Sequence, residues 1–357
     1  MILTDLSVDA SEFHRATGWK IKPEGACKGP VCVPLSENVW GRDGHLDVPP
    51  VADRLGMALV RDDSADVWSL GPESLVSGRA LTTAEAPELE LPDLDGNLFR
   101  LDSLRGQKVV VAAWASWCGC REDLRLWQAF RTELHGDGLE IVTVAMDAGG
   151  PAAARPWIEK AKASHPALID SAHVLGARFG VVNVPNAFWV DEAGMIVRPP
   201  EPAWMEDPHA SSETAAEAAA QMPPDHRAVR DQIAKMQIDP STYPRMIRDW
   251  VRNGADSPYA LAEYEVVQRS VPRSLEASLA AAHFEIGEYL HRNGNHAAAV
   301  GHWRQAHRLQ PGNWTYKRQA WNLEAPDSVR RIDAYGSGWL DDVRTLGAEN
   351  YYPKIVP

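Results

Sequence analysis

Two cysteines one glycine apart, Cys118 and Cys120, sit between an apolar run and a charged amphipathic segment in VVVAAWASWCGCREDL, residues 109–124. A strand ending at residues 114–117 and followed by a helix places Cys118 at a helix N-terminus. Unpaired backbone N–H groups and the helix dipole favour an anion there, so a thiolate is stabilised and the thiol pKa falls. A cysteine so placed is a nucleophile near neutral pH, and Cys120 is close enough to resolve a mixed disulfide formed on it. One intervening residue makes a tight ring, yet the Cα separation can still fall within the roughly 4.4–6.8 Å that a disulfide tolerates. Two other readings stay open at this point. The thiols are inert buried residues, or they form half of a tetrahedral metal shell, although no histidine is adjacent in sequence.

The remaining cysteines, Cys27 and Cys32 in GACKGPVC, are flanked by glycines and a proline and so belong to a loop. They read as unpaired structural thiols, as a second dithiol exchanging with Cys118 and Cys120, or as half of a metal site completed by a distant His14 or His45. Trp114 and Trp117 flank the Cys-Gly-Cys turn, and Trp117 is a candidate for shielding it or touching a substrate. Trp303, Trp314 and Trp321 read as packing. Among the 12 histidines, His135 and His165 are assigned no role.

The elements that position these groups are clearest between residues 81 and 202. KVVVAAW is a continuous apolar run of strand length, as expected of a central strand buried on both faces. In DLRLWQAFRTELHGDG, Leu124, Trp127, Phe130 and Leu134 recur at helical spacing, and Gly136 and Gly138 stop the helix. LEIVTVAMD is a second buried strand, ARPWIEKAKAS and SAHVLGARFG are helical with Ser171 as a candidate cap, and NAFWVDEAGMIV is a hairpin. Strand, helix, strand, helix and hairpin predict a mixed α/β sheet with helices on both faces.

Three further regions surround it. Residues 1–80 predict a small α+β unit. Residues 203–325 predict a helical region that opens on the linker EPAWMEDPHASSETAAEAAAQMPPDH, with Ser257-Pro258 as a helix start. Within it, Ile286, Gly287, Leu290, Gly294, Ala299, Trp303, Ala306 and Pro311 fall in the order of a tetratricopeptide-like (TPR-like) helical hairpin, which an ordinary hairpin in a bundle matches equally well. Residues 326–357 predict an extended tail.

Over 357 residues the composition, 45% hydrophobic and 24% charged, is that of a folded protein of two or three units. A net charge of −13 argues against nucleic acid or an anionic membrane as partner. No basic and apolar leader opens the chain and no apolar run reaches bilayer length, so the expected location is cytoplasmic. There, closely spaced cysteines are more often catalytic or metal-binding than structural.

The stretch around Cys118 resembles the active site of thioredoxin-fold proteins of the TlpA/ResA type, W-A-x-W-C-x-x-C-x-x-E, with one residue missing between the cysteines. The similarity runs from PELELPDLDGNLFRLDSLRGQKV through VTVAMD to FGVVNVPNAFWVDEAGMIV, about one third of the chain. It is closer still to a ResA-like branch with the pattern W-A-x-x-U-G-C-x-x-x-L-P, in which selenocysteine holds the first redox position. Trp114, Ala115, Cys118, Gly119, Cys120 and Leu124 match that pattern, and Arg125 stands where proline is usual. The resemblance implies a thioredoxin-like fold and a cis bond at Val184-Pro185 that sets the Val184 backbone beside Cys118 for an extended substrate segment. It also implies a proton-transfer role for Asp123. The residues alone equally allow a trans Pro185 and a plain helix-capping Asp123.

The expected function is thiol–disulfide exchange without a cofactor or metal. Cys118 attacks a protein or small-molecule disulfide, Cys120 resolves, and a cellular thiol reductant restores the dithiol. Two alternatives use the same residues differently: an antioxidant thiol peroxidase, and a redox-sensing adaptor whose helical region recruits a protein partner. The proline and threonine that precede a peroxiredoxin cysteine are absent, with Val111 and Ala115 in their places.

Overall fold

The computed structural model describes residues 1–41, 44–74, 81–205 and 224–356. Most of the expected linker, residues 206–223, and the segment 75–80 at the first boundary lie outside the described residues.

The centre of the molecule is a five-stranded sheet in the order Ala167–Ile169, Leu139–Ala145, Lys108–Trp114, Asn186–Val190, Ile196–Pro202. The first three strands are parallel, and the last two form the antiparallel hairpin expected from the sequence. Side chains alternate along a strand, which sorts the apolar runs onto two faces. Val109, Val111 and Ala113 pack with helices Gly150–Ala161 and Val174–Phe179 through Ala154, Ile158, Leu175 and Phe179. Val110 and Ala112 face the other way, toward Trp127, Phe130 and Leu134 of helix Leu124–Leu134. This is the thioredoxin-like arrangement of a mixed sheet between helices.

Helix Thr242–Asn253 completes the second face. Its Tyr243, Met246, Ile247 and Trp250 share a core with the sheet, and Trp250 stacks on Trp189 at 4.9 Å between centroids. Such an aromatic pair adds about 0.5–1.5 kcal/mol beyond burial. The helical region is therefore fused to the redox sheet through a shared core.

The hairpin of helices Leu275–Arg292 and His296–Leu309 forms as the spacing of small residues predicts. Gly287 is the point of closest approach, because a Cβ built there would lie 2.4 Å from the indole nitrogen of Trp303. This hairpin packs on the N-terminal α+β unit, whose helices Ala10–Thr17 and Val48–Leu55 enclose a core around Phe13, Trp19 and Leu55. Ser278 ties the two together by accepting from the Ala58 N–H and donating to the Pro72 carbonyl.

Three expectations are corrected. Ser171 does not cap helix Val174–Phe179; Asp170 does, because its two oxygens accept from the N–H groups of Val174 and Leu175 at 2.7 and 2.9 Å. Ser257-Pro258 does not start a helix. The Ser257 hydroxyl donates to Asp249 instead, and the next helix is Glu263–Arg269. Residues 326–357 are not an extended tail. Trp339, Leu340 and Val343 are buried on one side of helix Trp339–Leu346, and Tyr351 and Tyr352 join the same aromatic core.

Candidate active site

The central strand ends at Trp114, and Cys118 N-caps a short 3-10 turn, Gly119–Asp123, that runs into helix Leu124–Leu134. The sulfurs of Cys118 and Cys120 are adjacent, with the two Cα atoms 5.2 Å apart. The Cys120 N–H points at the Cys118 sulfur at 3.3 Å. The turn therefore aims a main-chain donor at Cys118, as the position at the start of a helix requires. Both cysteines are buried, whereas Gly119 between them is exposed. Asp123 stands at the junction of turn and helix, at the N-cap position of helix Leu124–Leu134, and makes no side-chain capping hydrogen bond.

The turn is held from behind by residues that sequence reasoning did not single out. The buried Asp147 carboxylate accepts from the Ser116 N–H at 3.0 Å, from the Ser116 hydroxyl, and from the Gly149 N–H at 2.9 Å. Burial pushes its pKa up, and these three bonds pull it partly back. Gln319, fully buried, accepts from the Trp117 indole N–H and the Ala148 N–H, both at 3.0 Å. Arg318 donates to the Trp117 carbonyl at 2.8 Å and lies over the Trp117 ring. Asp147 had a local signal, an acid at the end of the strand beside the central one. Gln319 and Arg318 had none, being about two hundred positions away.

The Val184–Pro185 bond is cis, and the Val184 carbonyl oxygen lies 3.7 Å from the Cys118 sulfur. The expectation that Val184 stands open to an extended segment is not met. Its N–H donates to Asn183 Oδ1 at 2.9 Å, and its carbonyl accepts from the Tyr352 hydroxyl at 3.0 Å. Next to it, the Val182 carbonyl accepts from the N–H groups of Trp314 and Thr315 at 2.8 and 3.1 Å. Those are the first N–H groups of helix Trp314–Glu324, so the loop carrying Pro185 satisfies the start of that helix. Burial holds the Tyr352 phenol well above its ordinary pKa, with the charge of Asp123 among the smaller contributions in the same direction.

Beside the turn opens a cleft of about 420 Å³. Trp117, Gly119 and Arg121 line it from the redox turn, and Arg318, Trp321 and Trp339 from the C-terminal helices. Arg121 stacks on Trp157 at 4.2 Å and comes within 3.6 Å of Asp327.

Cys27 and Cys32 face each other across strands Gly25–Lys28 and Val31–Val33 and form a disulfide. The reading as unpaired thiols is thereby corrected: a tight antiparallel hairpin sets the two side chains directly opposite each other. Among the described residues, Glu24 is the third ligand-type group close to both sulfurs. The sulfurs are bonded to each other, which leaves no thiolate pair for a metal. A smaller cleft, about 240 Å³, lies beside Cys27 and is lined by His14, Lys28, Glu73, Glu85 and Arg178. Among the described residues no helix is long and apolar enough to cross a membrane.

Comparison with known proteins matches residues 82–198 to the AhpC/TSA family. Thiol-disulfide oxidoreductase ResA of Bacillus thuringiensis subsp. konkukian is 24% identical over 115 residues, covering 32% of this chain and 66%, just under two thirds, of that protein. The Bacillus subtilis thioredoxin-like protein YneN is 28% identical over 115 residues, with 31% and 66% covered. Among solved structures, a putative thiol:disulfide interchange protein DsbE from Chlorobium tepidum is 23% identical, covers 39% of this chain and 95% of its own, and has a TM-score of 0.31. Residues 82–198, with their mixed sheet and the cysteine turn after the central strand, form a thioredoxin-like domain that is similar to the AhpC/TSA family and, at low identity, to ResA-like thiol–disulfide oxidoreductases.

Proposed function

We propose that this protein is a thiol–disulfide oxidoreductase whose working pair is Cys118 and Cys120. The observation that carries this reading is the adjacent pair of sulfurs at the start of the helix after the central strand, with the Val184 carbonyl 3.7 Å from Cys118. In the dithiol state the Cys118 thiolate attacks one sulfur of a substrate disulfide. A mixed disulfide forms and one substrate thiolate leaves. Cys120, as thiolate, then attacks the Cys118 sulfur and releases the second. The substrate gains two electrons and the protein keeps the disulfide, which a thiol reductant must return to the dithiol. A cytoplasmic location, proposed from the sequence, supplies such reductants.

In this scheme the N–H of Cys120 and the N-terminal turn stabilise the Cys118 thiolate. Asp123, half-buried on the side of Tyr352, takes up the proton that Cys120 loses as it resolves. Cis Pro185 holds Val184 against the sulfur, and Trp117 forms the wall a substrate meets. The one-residue spacing and the flanking Trp114, Ala115 and Leu124 support a place near the branch that carries selenocysteine, with Cys118 where selenium would stand. Cys27 and Cys32 form a second redox pair in this reading, reducible separately from the first.

A Cys120→Ser variant tests the scheme. Reduced and mixed with a disulfide, it is expected to hold a mixed disulfide on Cys118, seen by intact mass. If no adduct forms with any disulfide, and Cys118 alkylates no faster than an ordinary thiol, the reading fails. Burial of both sulfurs beneath Trp117 and the C-terminal helices favours small reactants, which keeps peroxidase activity as a second reading. There a peroxide oxidises Cys118 to a sulfenic acid and releases an alcohol or water. Cys120 then condenses with it, releasing water. Consumption of peroxide faster than reduction of any disulfide would favour this second reading.

A further inference from the structure

The cover over Val184 bears on what the site accepts. This inference rests on the disulfide-exchange reading above and names the class of its substrate. An extended polypeptide docks at a cis-proline loop by pairing with its main chain. Here those groups are already engaged by Asn183, Tyr352, Trp314 and Thr315. Releasing them would expose Tyr352 and Tyr351, both buried, and leave the first N–H groups of helix Trp314–Glu324 without an acceptor. Each unsatisfied buried group costs about 1–3 kcal/mol, so entry of a strand works against several such losses at once.

A cleft of about 420 Å³, a volume that suits a small organic molecule, opens on the turn at Trp117, Gly119 and Arg121. Its charged lining is unequal. Arg121 has Asp327 opposite it, whereas Arg318 makes no ion pair among the described residues. Arg318 spends one N–H on the Trp117 carbonyl and lies against the Trp117 ring at 4.7 Å. A guanidinium carries five donors in a planar fork matched to a carboxylate. Trp117, Trp321 and Trp339 supply aromatic walls to the same lining. Aromatic walls and a guanidinium with no ion pair among the described residues describe a receptor for a small molecule with an anionic end.

We infer that the substrate is a small organic disulfide bearing carboxylates, bound beside Trp117 and Arg318 in this cleft, and not an extended segment of a protein. The exchange is then RSSR plus the Cys118/Cys120 dithiol giving two RSH and the protein disulfide. A thiol reductant of similar size, entering by the same cleft, reverses it.

The test uses the full chain, reduced, and three probes: glutathione disulfide, which is anionic; cystamine, which is a smaller, cationic disulfide; and insulin, a protein disulfide. The readout is the second-order rate constant of protein oxidation. Glutathione disulfide is expected to react faster per disulfide than insulin. The ratio of its rate constant to that of cystamine is expected to fall about tenfold in Arg318→Met, the scale of one charge-assisted contact. Because that variant can perturb folding, the same ratio is measured in the unmodified protein at rising ionic strength, where it should also fall. A ratio insensitive to both changes overturns the inference and leaves the exchange reading standing, as does faster reduction of insulin. Failure of all three probes to oxidise the dithiol overturns both.

Discussion

At the scale of single residues, the site depends on a few buried polar groups more than on the cysteines' own surroundings. Asp147 is the clearest case: its carboxylate is out of water and holds both donors of Ser116, two positions before Cys118. Ser116→Ala removes one of its three donors and is expected to destabilise the fold by about 1 kcal/mol, the usual net worth of a hydrogen bond. The lost bond favours the charged acid, so its removal lets burial push the Asp147 pKa higher still. An acid whose folded pKa is raised makes stability fall as pH rises. Urea unfolding should therefore show a larger loss for this variant at mildly alkaline than at mildly acidic pH. An equal loss at both would mean that Ser116 acts on the backbone alone.

At the scale of elements, one helix completes the site and a helical hairpin packs beside it. Helix Trp314–Glu324 brings Arg318, Gln319 and Trp321 to the turn, and its N-cap is Asn313, whose side chain accepts from the Tyr316 N–H at 3.2 Å. Asn313→Ala is expected to cost about 1 kcal/mol of stability. Because the same helix start is seated on the Val182 carbonyl, the variant should also quicken alkylation of reduced Cys118. Unchanged alkylation would show that the cap does not govern access. The hairpin beneath it is closed by Gly287 against Trp303, with no room for a methyl group. Gly287→Ala should overpack this contact and lower stability by roughly 1–3 kcal/mol, measured by chemical unfolding. A neutral or stabilising result would mean that the two helices separate freely.

At the scale of the whole molecule, buried titratable groups bound the pH range of stability from both sides. Burial lowers His165, His283 and His307 to about 4 and His173 to about 3. These bases are held neutral in the fold, so stability is present above their ordinary value near 6.5 and lost as pH falls from there toward 4. On the other side, Glu288 is buried and raised to about 8 by desolvation, with Arg292 and Trp303 opposing the shift, and Asp170 is raised to about 6 for the same reason. They contribute full stability below the ordinary carboxylate range and lose it as pH rises through those values. Thermal midpoints should thus peak between the two limits. Glu288→Gln should flatten the alkaline side and leave the acid side unchanged; an unaltered alkaline slope would exclude Glu288 as its source.

What the sequence by itself determined is local and periodic. The apolar run ending at Trp114, the cysteine turn, the amphipathic helix beginning at Leu124, the hairpin around Gly194 and the small residue at Gly287 each leave a pattern within a dozen positions. Such patterns arise because strand and helix periods dictate which side chains share a face. Even there, competition between near neighbours went unread, as when Asp170 rather than Ser171 took the cap. The tertiary structure decided the rest. It laid Tyr352 on the Val184 carbonyl and brought Arg318 and Trp321 to a cleft beside Gly119. These pairings join residues up to about two hundred positions apart, and no periodicity links them. They follow from which buried main-chain groups still needed a partner once the sheet and helices had packed.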